Sequence, residues 1–180
     1  MGGDALTATL VHELAHIVGL NADQIAFDEA VAADPENTDL FEAGKAACDT
    51  LFLDEGCALP DAYIYAFHEA FWVDLEAYAA EIEAIEDEAE QEEVIAAFYE
   101  ENPERFVSEY AATDIAEDFA ESFAVFALQD LPPAGLERDE KVRFFEQFPD
   151  LVAIREDLRG AGLSVAPGSL TARAVGPRCR

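Results

Sequence analysis

Apolar residues recur at three- and four-residue intervals along most of the chain, the period of helices with one buried face. Leu10, Leu14, Ile17 and Val18 mark a first amphipathic helix, with Gly19 as its expected C-cap. Past Asp34-Pro35, NTDLFEAGKAAC reads as a short helix opened by Thr38 or Asp39 as N-cap. In LPDAYIYAFHEAFWVDLEAY, Tyr63, Phe67 and Phe71 line one face. The next stretch, EIEAIEDEAEQEEVIAAFYEENPE, carries ten acidic residues from Glu81 to Glu101 and no basic one, which marks a solvated helix face. A further helix starting near Asp114 turns Phe119, Phe123 and Phe126 inward, and Pro132-Pro133 ends it. RDEKVRFFEQF and PDLVAIREDLRG then close the domain at Gly160. No internal repeat and no alternating strand pattern stands out. The pattern predicts a mainly α domain over 1–160 and a flexible, mildly basic tail over 161–180 with Arg173, Arg178 and Arg180.

At 180 residues and 51% hydrophobic composition the chain can bury a core of its own. No apolar run approaches the roughly 20 residues that cross a bilayer, so no membrane span is expected. The N-terminus lacks the basic-then-apolar order of a signal peptide. Forty acidic residues against ten basic ones give a net charge of −30, and the lysines are Lys45 and Lys141 alone. Such a surface repels phosphate backbones, which argues against a nucleic-acid partner. It also repels itself, and salt relieves this as the Debye length falls from about 8 Å to about 3 Å at 1 M. A salt-rich habitat, secretion and plain solubility each account for the charge.

The chemistry is concentrated in LVHELAHIVGLN. His12 and His16 stand four apart, so on a helix both reach one ion. Glu13, beside the first of them, falls next to that ion, where it can hold a water. The helix is otherwise apolar, and two imidazoles buried there without a partner would be costly. Catalytic zinc takes three protein ligands and keeps a fourth position open, so a third ligand must come from elsewhere. His68, on the aromatic helix, fits a core or rim histidine better. In EYAATDIAEDFAESFAVF, Glu117 and Glu121 stand four apart on a face otherwise lined by Phe and Ala, and carboxylates there need a cation or donors.

These two segments together resemble the gluzincin zinc metallopeptidases, whose HExxH helix is completed by a glutamate from a later helix. The run Tyr110, Asp114, Glu117, Glu121 is similar to the corresponding helix of the anthrax lethal-factor catalytic domain and of small bacterial zinc metallopeptidases. The resemblance is close over Leu10–Asn21 and Glu109–Leu128 and loose between them. It implies Glu117 as the third zinc ligand, Tyr110 as a hydrogen-bond donor in the transition state, and Glu121 as a carboxylate that orients a zinc-bound imidazole. Glu13 would be the general base. Asp114 stands where that pattern commonly has Asn; a helix N-cap accepts either.

A zincin fold also implies a β-sheet ahead of the active-site helix. Eleven residues before His12 are too few for one, so the sheet is expected to be missing or truncated here, in a piece of a longer protein or one that holds its substrate differently. The similar bacterial proteins carry a cysteine pair ahead of an aromatic helix. By that likeness Cys48 and Cys57 form a disulfide across DTLFLDEG, which implies an oxidising compartment; two buried free thiols are the alternative.

The expectation is therefore a secreted or cell-surface metalloendopeptidase that binds one Zn2+ per chain and acts on a peptide or protein substrate. The alternative is a zinc-binding interaction module that hydrolyses nothing.

Overall fold

The computed structural model describes residues 3–34 and 37–166. The chain is mainly helical: α1 (Gly3–Leu20), α2 (Glu29–Ala33), α3 (Thr38–Ala47), α4 (Tyr63–Phe71), α5 (Glu76–Glu83), α6 (Glu88–Glu101), α7 (Ile115–Leu128), α8 (Glu137–Phe144) and α9 (Pro149–Gly160). Single 3-10 turns follow α4, precede α7 and follow α8. No described helix is long and apolar enough to cross a membrane.

Helix starts follow the side chains able to satisfy the first orphan amides. Asp28, Asn37, Asp87 and Asp114 each accept from a backbone N–H two or three residues on. The cap of α3 is therefore Asn37 rather than Thr38 or Asp39, because the capping residue must be extended and those two already lie in the first turn. Gly19 likewise is not a C-cap. It lies inside α1, and a Cβ there would stand 2.8 Å from Cε1 of Phe119, so glycine serves the close approach of α1 to α7.

The aromatic segment is not one helix. Trp72 closes α4, turns inward and donates its indole N–H to Asp118 at 2.8 Å; a 3-10 turn then leads into α5. The acidic segment is also divided, with the Asp87 cap restarting the chain as α6.

Three short strands were not anticipated: β1 (Ile25–Phe27), β2 (Phe52–Leu53) and β3 (Gly56–Ala58). They form an antiparallel sheet in the order β1-β3-β2, with Ile25 opposite Ala58 and Phe52 opposite Cys57. At two or three residues each they are too short to display a two-residue alternation. All three follow α1 in the chain. Gly56, at φ 136°, makes the bend that an L side chain resists. Cys48 at the end of α3 and Cys57 on β3 form a disulfide, Cα atoms 5.6 Å apart.

α7 is the centre of the molecule, packed against α1, α4, α8 and α9. Phe119, Phe123 and Phe126 are buried in it as expected, and Phe67, Phe106 and Phe145 complete the aromatic core. Lys141 is also wholly buried, its ammonium 2.7 Å from Asp118 and 4.1 Å from the centre of the Phe106 ring. The core extends past Gly160: Val165 is buried and its N–H bonds to the Leu128 carbonyl. The remainder of the expected tail, with Arg173, Arg178, Cys179 and Arg180, lies outside the described residues.

Candidate metal centre

Two helices meet to form the site. α1 turns His12 into the core, where it is 2% exposed, and leaves His16 half-buried one turn on. α7 runs alongside and brings Glu117 to both. His12 Nε2 lies 3.1 Å from His16 Nε2 and 3.0 Å from Glu117 Oε2, and His16 Nε2 lies 3.6 Å from that same oxygen.

Those separations test the fit of a metal. Ligand atoms at 2.0–2.1 Å from a tetrahedral zinc stand about 3.3 Å apart, and the three distances bracket that value. The donor set is two imidazole nitrogens and a carboxylate oxygen, which zinc accepts. The Glu117 Oε2 atom is buried and makes no hydrogen bond. A buried carboxylate oxygen facing two imidazole nitrogens is compensated by a cation or by protons on the rings.

The imidazole of His12 is held from behind. Glu121 Oε1 lies 2.8 Å from His12 Nδ1. A carboxylate can only accept there, so Nδ1 carries a proton and Nε2 is the nitrogen that faces Glu117 and His16. The other Glu121 oxygen accepts from Ser108 Oγ at 2.8 Å, and Ser108 Oγ accepts the N–H of Ala111 at 3.1 Å. Ser108 is thus part of the site, and sequence reasoning missed it. It lies outside the spaced motif and is joined to Glu121 only by the folding of the loop.

Tyr110 opens the 3-10 turn before α7, half-buried, its ring centre 5.8 Å from that of His12. Asp114 caps α7 by accepting the N–H of Glu117 itself at 2.9 Å, which fixes the backbone of the third candidate ligand. Glu13 is exposed. Helix geometry places it about 60° around α1 from His16, on the side away from the core. His68 stands apart on α4, 3.5 Å from its neighbour Glu69, and is not in the cluster. The disulfide occupies Cys48 and Cys57.

Burial alone would raise the Glu117 carboxyl, yet the adjoining imidazoles of His12 and His16, when protonated, outweigh it and bring the pKa down to about 2. Glu55, in the turn between β2 and β3, is half-buried; burial pushes its carboxyl up, and a backbone hydrogen bond draws it partly back.

No protein-family profile, curated protein or solved structure matches the chain.

Proposed function

We infer that the chain is a zinc metallopeptidase of gluzincin type and zincin-like fold, hydrolysing peptide bonds with His12, His16 and Glu117 as the metal ligands. The observation that carries this reading is the convergence of His12 Nε2, His16 Nε2 and Glu117 Oε2 at tetrahedral spacing from two helices far apart in sequence. Zinc held by these atoms supplies Lewis acidity, activating a water and polarising the scissile carbonyl. Glu13, one residue beyond His12 and open to solvent, accepts the proton of the attacking water and returns it to the leaving amine. Tyr110 donates its hydroxyl proton in a hydrogen bond to the developing oxyanion. Glu121 keeps His12 in the tautomer that can bind a metal, and Ser108 holds Glu121.

A secreted or cell-surface location goes with this reading, supported by the Cys48–Cys57 disulfide, a bond typical of oxidising compartments.

Elemental analysis of purified protein, followed by digestion of a diverse peptide library, tests the proposal. About one zinc per chain and cleavage that vanishes in Glu13→Gln are expected. Protein that holds no zinc ends it, whereas zinc without cleavage at low or high salt leaves a zinc-binding interaction module.

A further inference from the structure

Between Arg105 and Tyr110 the chain is neither helix nor strand, yet it carries Ser108, whose hydroxyl holds Glu121, and it delivers Tyr110 to the turn before α7. Side chains hold this loop in place of a backbone ladder. Arg105 does so with its whole guanidinium. Nη1 and Nη2 each donate to one oxygen of Asp74 at 2.9 Å, and Nε donates to Glu137 Oε1 at 3.0 Å. Asp74 lies in the 3-10 turn after α4 and Glu137 opens α8, so one side chain ties the loop to two other elements. Glu137 Oε1 also lies 3.6 Å from Lys141 Nζ, and that ammonium pairs with Asp118 in the first turn of α7. Phe106, wholly buried, sits beneath the same ammonium. Arg138 adds a bond from Nη1 to the Pro103 carbonyl at 2.8 Å. The chain has ten basic residues, and three of them converging here single the loop out from an otherwise acidic protein.

We propose that Arg105 is a positioning residue of the candidate metal centre: its bridge between Asp74 and Glu137 sets the loop so that Ser108 reaches Glu121 and Tyr110 stands beside His12. The proposal deepens the reading above, on which the role of Tyr110 rests. Ser108 is three residues from Arg105, at most about 10 Å of chain, so a shift of Arg105 is felt at Ser108. From there it passes to Glu121 Oε2, and through Glu121 Oε1 to His12 Nδ1, along two hydrogen bonds of 2.8 Å. Lysine cannot replace Arg105, because an ammonium lacks the planar fork that meets both oxygens of Asp74 while a third donor serves Glu137. Asp74 is exposed, and an ion pair with an exposed partner adds little to stability. The bridge therefore acts chiefly on where the loop lies.

The test reads His12 in the metal-free full chain, so it depends on neither zinc nor turnover. Three histidines make imidazole NMR tractable, and loss of the signal in His12→Gln assigns the Nδ1 proton held by Glu121. Arg105→Gln and Arg105→Lys should speed exchange of that proton about tenfold or more, as Ser108→Ala does, by easing local opening. Combining Arg105→Gln with Ser108→Ala should be no faster than Ser108→Ala alone, since both act along one route. Arg159→Gln removes an ion pair to Asp130 on the far side of the fold from the loop's anchors and should leave the exchange unchanged. Asp74→Asn keeps Arg105 but removes its charged partner, and a smaller acceleration there decides the matter should the Arg105 variants misfold. Unchanged exchange in these variants, additive effects in the double variant, or equal acceleration by Arg159→Gln overturns the proposal. In protein that cleaves peptides, Arg105→Gln should lower kcat about tenfold with KM unchanged, and have almost no effect when Tyr110→Phe is already present. An equal loss in both backgrounds also overturns it. Protein that holds no zinc would sink the metallopeptidase reading, while the exchange of the His12 proton still decides whether Arg105 places Ser108.

Discussion

Glu121 Oε1 lies 2.8 Å from His12 Nδ1, and this contact decides which nitrogen of a buried imidazole faces Glu117. One glutamate of α7 would hold the metal and the other, one turn on, would aim the histidine. The two have the same side chain and different work, and substitution separates them. Glu117→Ala should abolish tight zinc binding, while Glu121→Ala should weaken it by roughly 10- to 100-fold. Competition against a chromophoric chelator measures both. A larger loss in Glu121→Ala than in Glu117→Ala would make Glu121 the ligand.

Glu13 and Tyr110 are outside the ligand set, so their loss should spare the metal. Glu13→Gln is expected to keep its zinc and its fold and to cleave nothing. Tyr110→Phe should lower kcat by about 100-fold with little change in KM, because the contact is made mainly in the transition state. Steady-state kinetics on a peptide cleaved by the wild type distinguishes this from a binding defect, which would raise KM.

The buried pair of Lys141 and Asp118 joins α8 to the first turn of α7, one residue from Glu117. Lys141→Met leaves the Asp118 charge in the core with the Trp72 indole and the Ser122 hydroxyl as its remaining donors. It should cost about 3–5 kcal/mol in urea denaturation. Adding Asp118→Asn removes the orphaned charge, and the double variant should recover part of that loss. A double variant less stable than Lys141→Met alone would mean that Asp118 stabilises the fold without its cation.

Acid should destabilise the metal-free protein through Glu117. Its folded-state pKa lies near 2, against an ordinary value of 4.5. A carboxyl with a depressed folded pKa contributes stability that is present above its unfolded value and is lost as pH falls through the folded one. The loss should therefore develop between about pH 4.5 and 2. Denaturation of metal-free wild type and Glu117→Gln across this range should show a gentler decline in the variant; parallel curves would remove Glu117 from the acid response.

The disulfide closes a loop of about ten residues, for which chain entropy predicts about 2–3 kcal/mol of stabilisation. Changing Cys48 and Cys57 together to Ser should lower the denaturation midpoint accordingly. Thiol counting on denatured wild type should find one free thiol, Cys179, and finding three would remove the support for an oxidising compartment.

The sequence alone carried the helical class, since a 3.6-residue apolar period is a local property that survives without any knowledge of neighbours. It also carried the placing of His12 and His16 together, because one helix fixes their relative directions, and Asp114 as a cap, because capping acts over three residues. Where local signals competed, it misread them. Asn37, not Thr38 or Asp39, caps α3; Gly19 answers to the Phe119 ring of another helix; and strands of two or three residues leave no period to read. The partnership of His12 with Glu117 and Glu121 spans more than a hundred residues, and no spacing rule measures it: the resemblance suggested it, and the packing of α1 on α7 brings those atoms together. Ser108 behind Glu121 and Lys141 beside Asp118 had no sequence signal at all. A serine in a loop and a lysine in a charged helix look solvated until tertiary packing removes the water and leaves each with a carboxylate as its partner.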